Sequence, residues 1–116
     1  MTEARCREIV AVRSGGRCER CGRYRAESMH HRRKRSHGGP WAPSNVVHLC
    51  GDGTTGCHGW IEHHAAKAEV EGFHVPSWED EREVPLTVST FPALPVLLDD
   101  EGLLIPFPGK RVESEE

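Results

Sequence analysis

The chain reads as a small α+β fold stapled by metal. Three observations predict this. Leu, Ile, Val and Phe together number 23 of 116 residues, and only 10 of these lie in residues 1–75. That stretch sits below the roughly 20% of such residues at which chains often fail to fold unaided. The same stretch nevertheless holds all five cysteines and all eight histidines. Soft ligands where core formers are scarce point to a bound metal as a source of folding energy. Finally, short apolar runs alternate between helical and strand-like spacing, with Gly- and Pro-rich turns between them.

The elements follow in order. "TEARCREIVAVRSGG" predicts a short helix, with Ile9, Val10 and Val12 apolar and Gly15-Gly16 as its stop. "CERC" makes a tight knuckle, "YRAESMHHR" an extended strand, and "KRSHGGPWAPSN" a loop. "VVHLC" is a short β-branched strand. After the turn-rich "GDGTTG", Thr54 or Thr55 could cap a helix running from about Gly56 to Glu71, with Gly72 ending it. His58 then falls in the first turn of that helix.

Residues 1–75 therefore form one metal-stapled domain. Residues 76–116 are a Pro-rich, acidic extension, with a linker or edge strand and then a hairpin in "PVLLDDEGLLIPF". The formal net charge of −3 hides an asymmetry: residues 1–35 carry eleven Lys/Arg against four Glu, and residues 76–116 carry ten acids against three bases. A basic half suggests a polyanionic partner, and an acidic one suggests self-screening or protein contacts. No apolar run is long enough to span a membrane, and the N-terminus has no secretory h-region, so the chain is read as cytoplasmic.

Cys18-x2-Cys21 and Cys50-x6-Cys57 are two pairs whose thiolates can close a tetrahedral zinc site. Disulfides do not suit a chain read as cytoplasmic. Cys6 is left over, a packed or surface thiol. A finger ligated by Cys18, Cys21 and the two adjacent histidines does not work: only eight residues separate Cys21 from His30. His30 and His31 are thus free for other duty.

Neighbours on a strand point to opposite faces, so the two histidines need not share a role. One imidazole could ligate a divalent ion while the next accepts a proton at neutral pH. Arg32, Arg33, Lys34 and Arg35 follow directly, read either as a solvated charge run or as phosphate contacts giving salt-sensitive, sequence-neutral affinity. Trp41 packs or wedges within the loop, and Trp60 packs on the knuckle or hairpin. His48 packs or bonds locally, whereas His37, His64 and His74 are surface residues.

Taken together, "CERC…MHHR…SNVVHLC…GCHGWIEHH" resembles the HNH endonuclease family, in particular stand-alone versions found in phages. The resemblance covers roughly residues 15–70. It implies a ββα-metal, treble-clef-like finger, preceded here by the N-terminal helix and followed by the C-terminal β-hairpin extension. In it Cys18, Cys21, Cys50 and Cys57 hold structural zinc. It implies that His31 is the general base, that Asn45 holds the intervening loop and so orients the base, and that His30 and His58 ligate a catalytic Mg2+, Mn2+, Ni2+ or Zn2+. The third ligand is left between Glu62, on the His58 face of the helix, and His63.

The implied activity is metal-dependent hydrolysis of DNA phosphodiesters, by nicking or double-strand cleavage, in the host cytoplasm if phage-encoded. Genome packaging beside terminase or portal proteins and homing both stay open as roles. The acidic tail and hairpin could serve homodimerisation or docking. The alternative is a non-catalytic, zinc-stabilised nucleic-acid-binding module, which needs the cysteines and basic residues but not His31 and Asn45 in register. A third reading is a metal-stapled protein-interaction domain.

Overall fold

A computed structural model describes residues 1–107 of the chain. Helix α1 spans Glu3–Ser14. Thr2 caps it by accepting a hydrogen bond from the Arg5 N–H, and Gly15 ends it in the left-handed region at φ 64°. Both ends lie where the sequence puts them.

Strand β1, Ser28–His31, pairs antiparallel with β2, Val46–Leu49. His30 stands opposite Val47, and His31 opposite Val46. The strand read from "YRAESMHHR" is thus confined to its last residues. The connecting loop contains one 3-10 turn, Arg35–His37. Gly39 lets this loop close on itself, because a Cβ there would stand 1.7 Å from the Arg33 carbonyl oxygen.

The single helix expected over Gly56–Glu71 is two helices, α2 (Gly56–His63) and α3 (Ala65–Glu71), broken at His64. Imidazoles compete for the carbonyls there: His64 Nδ1 lies 2.9 Å from the Trp60 oxygen, and the His64 N–H turns instead to Ile61 O at 3.4 Å. Diverting the i−4 carbonyl ends the ladder. Thr55 is the N-cap of α2, although its hydroxyl makes no capping bond.

The C-terminal segment forms a three-stranded antiparallel sheet in the order β3 (Leu86–Val88), β4 (Phe91–Leu98), β5 (Leu104–Pro106). The expected hairpin is β4–β5, pairing Leu98 with Leu104. The acidic residues of the last stretch, Glu113 to Glu116, lie outside the described residues. Among the described residues, no helix is long and apolar enough to cross a membrane.

One apolar cluster joins both parts of the chain. Val47, Leu49, Ile61, Ala68 and Phe73 pack with Leu86, Val88, Val96 and Leu98, and with Cys18, Cys50 and Cys57. A smaller cluster of Cys6, Val10 and Val46, with Met29 and Trp41 against it, seats α1 on the hairpin. A buried ion pair fixes that seat: Arg13 clasps Glu19 at 2.8 and 2.9 Å and also donates to the carbonyls of Pro43 and Val46. Glu19 in turn accepts from the His48 N–H. With each guanidinium nitrogen and both carboxylate oxygens bonded, the pair specifies how helix and knuckle meet.

Candidate metal centres and active-site cleft

Cys18, Cys21, Cys50 and Cys57 bring their sulfurs within 4.8 Å of one another, so they could hold a metal ion such as zinc. Cys21 and Cys50 Sγ lie 3.9 Å apart. That is close to the edge of about 3.8 Å expected for a tetrahedron with Zn–S bonds of about 2.3 Å. The donor set fits a cation chemically as well. Backbone N–H groups of Cys21, Arg23 and Cys57 point at the sulfurs of Cys18, Cys21 and Cys50, and Arg20 donates to Cys57 Sγ at 3.3 Å.

Burial pushes the Cys57 thiol up to about 12. At Cys21 burial acts the same way, but the Arg23 and Tyr24 backbone donors bring it down to about 7. Thiols this close ionise together only around a cation, which a metal ion supplies. Arg20 also lies 4.1 Å over the Trp60 ring and pairs with Glu71, closing the knuckle against α3.

A second group forms where β1 faces α2: one atom each of His30, His58 and Glu62 fall within 4.8 Å of one another. The hydrogen bonds behind the rings set which nitrogens face the gap. His30 Nε2 lies 2.9 Å from the Phe73 carbonyl oxygen, which can only accept, so Nε2 carries the proton. His58 Nδ1 lies 2.7 Å from Ser28 Oγ. The Ser28 hydroxyl already donates to Gly51 O at 2.7 Å, so it accepts from His58 Nδ1–H.

His30 Nδ1 and His58 Nε2 therefore present lone pairs to Glu62 Oε2, at 3.4 and 3.6 Å. Burial, the largest influence, holds His30 down to about 4, and it also lowers His58. The imidazoles are thus neutral near pH 7, and two lone pairs face a carboxylate. Such a set fits a divalent cation, and the bonds behind it are the usual outer support of a metal-ligating histidine. His63 does not join the group; its Nδ1 lies 2.7 Å from Gly59 O, one turn back on its own helix. Of the two candidates for third ligand, the structure therefore brings Glu62 and not His63 to the site.

His31 lines the same cleft as His30, His58 and Glu62, together with Met29, Lys34 and Arg35. Its ring packs against Trp41. Burial lowers its pKa, and Arg35 lowers it further. Asn45 is fully buried and ties both ends of the loop. Its Oδ1 accepts from the Arg33 N–H at 2.8 Å, and its Nδ2 donates to the carbonyls of Arg33 and Pro40 at 3.0 and 3.2 Å.

The basic run divides. Lys34 and Arg35 are exposed at the cleft. Arg33 is partly buried and paired with Glu81 at 2.8 Å. Arg32, expected to contact nucleic acid, is instead fully buried. It donates to the carbonyls of Gly72, Ser44, Glu81 and Val84, at 2.8, 2.9, 3.2 and 2.7 Å. Strand alternation explains the split, because Arg32 shares the inward face of His30.

Three supporting residues carry no sequence signal of their own. Ser28 and the Phe73 carbonyl orient candidate ligands across 30 and 43 residues of chain, and Arg20 reaches Cys57 across 37. Only Ser28, two residues before His30 on a half-buried strand, was open to inference by alternation. His48 bonds Ser14 Oγ at 2.9 Å, and Cys6 is a buried thiol beside Val10. The chain matches no family model, no curated protein and no solved structure.

Proposed function

We propose that this chain is a metal-dependent endonuclease that hydrolyses DNA phosphodiester bonds, built on a ββα-metal finger of the HNH type. The observation that carries the reading is a single cleft holding a neutral two-imidazole, one-carboxylate donor set, a further histidine beside it, and two exposed cations. The β1–β2 hairpin followed by α2 is the element order such a finger requires. In this reading the four cysteines hold zinc as a closed structural site.

His30, His58 and Glu62 would hold the catalytic Mg2+, Mn2+, Ni2+ or Zn2+. Such an ion, when bound, supplies positive charge against the charge that builds on the phosphate and the leaving oxygen. His31 accepts the proton of the attacking water; its lowered pKa keeps it neutral and able to do so near pH 7. Asn45 fixes the loop between the two strands, and so the direction of the base. Lys34 and Arg35 contact phosphates flanking the scissile one, which gives affinity without sequence readout.

The test is plasmid nicking with each divalent ion, alongside chelator and His31→Ala controls. Cleavage is expected with metal only, and to be lost in the variant. Cleavage that survives His31→Ala, or none with any ion, would overturn the reading. DNA binding without cleavage would mark the chain as a zinc-stabilised binding module instead.

A further inference from the structure

Among the described residues, two buried side-chain nitrogens have no hydrogen-bond partner, and they belong to touching rings: His31 Nε2 and Trp41 Nε1. The rings meet in a T, with centroids 4.4 Å apart and planes at 85°. A buried lone pair at Nε2 would have given up water for nothing, whereas an N–H can rest against a π face as a weak donor. The contact thus favours a proton on Nε2.

Trp41 is held firmly enough to impose this. It packs on the cluster of Cys6, Val10 and Val46, and Arg7 of α1 lies 4.8 Å from its ring centroid. Asn45 donates to the carbonyl of Pro40, the residue just before it. We propose that Trp41 is the positioning residue for His31: its indole seals Nε2, fixes the imidazole as the Nε2–H tautomer, and leaves Nδ1 as the one nitrogen that can take a proton. The catalytic consequence rests on the nuclease reading; the tautomer does not.

Two measurements on the full-length, zinc-loaded protein test this. Long-range 1H–15N spectra, taken above the ordinary imidazole pKa of about 6.5, should show His31 as a single Nε2–H tautomer. Trp41→Phe should keep that signature, and Trp41→Leu should mix the tautomers. In steady-state cleavage, Trp41→Leu should lower kcat about ten- to a hundredfold with KM unchanged, the cost of a misaimed base, and Trp41→Phe should restore most of it.

A wild-type His31 found as the Nδ1–H tautomer overturns the proposal, and that spectrum decides the matter even if Trp41→Leu does not fold. An unchanged tautomer and kcat in a folded Trp41→Leu overturns it too. An Nε2–H tautomer that depends on Trp41, in a protein that cuts no DNA, would leave the positioning intact and sink the nuclease reading.

Discussion

The two candidate metal sites are built by opposite rules. The cysteine cluster is sunk in the main apolar core, with Cys18 fully buried and Leu49, Ile61 and Val88 in the same cluster. Its sulfurs are met by backbone N–H groups and Arg20. The histidine–glutamate cluster has one buried member, His30, while Glu62 opens on a cleft lined by Lys34 and Arg35. A closed site holds an ion for the fold's sake; an open one keeps a position for a reactant. On the proposed reading the difference separates stability from chemistry, and substitutions can pull them apart.

The largest effect should come from the closed site. Cys18→Ser removes one of four sulfurs from a site where a bound zinc would contribute on the order of 10 kcal/mol of folding energy. The variant should neither retain zinc nor melt cooperatively by circular dichroism; wild-type-like melting would erase the distinction between the sites. Next comes Arg32→Met. It leaves four carbonyls without their donor, and buried groups so orphaned cost about 1–3 kcal/mol each, with some recovery through relaxation. Chemical denaturation should show a loss of about 3 kcal/mol or more, with zinc still bound.

At the open site the effects should move from stability to binding. Ser28→Ala frees the His58 ring, and loss of such outer support lowers metal affinity by about 10- to 100-fold. Calorimetric titration with Mn2+ should report that loss while the melting temperature changes little. A parallel fall in zinc content would mean the two sites are one system. The smallest effect is Lys34→Ala. Stability should stay within about 0.5 kcal/mol, DNA affinity should fall alike for unrelated sequences, and the log–log salt slope should shrink by about one.

The candidate ligands were legible because they are chemistry written at single positions. Cysteine pairs and adjacent histidines declare themselves without a partner in view, and Gly15 declares a helix end. What was hidden is whatever depends on distance in space. Arg32 reads like Arg33 and Lys34 in a run of four cations, yet the period-2 rule that separates His30 from His31 also turns Arg32 inward, beneath Gly72, Glu81 and Val84. The helix break at His64 follows from side chains competing for carbonyls, which helical periodicity does not register. The acidic composition of the last forty or so residues masked the alternation in β3 and β4 that sends Leu86, Val88, Val96 and Leu98 into the core.

The carbonyls that hold Arg32 and His30 have a temporal consequence. Phe73 O must be in place before the His30 ring is set, and Val84 O before the Arg32 charge is satisfied. The core around the cysteines closes only with Val96 and Leu98. A ribosome making this chain must therefore release nearly a hundred residues before the histidine cluster can take its shape. Before that point the ring of His30 and the charge of Arg32 have no fixed partners, so the cleft is a product of the whole fold and not of the hairpin and helix that line it.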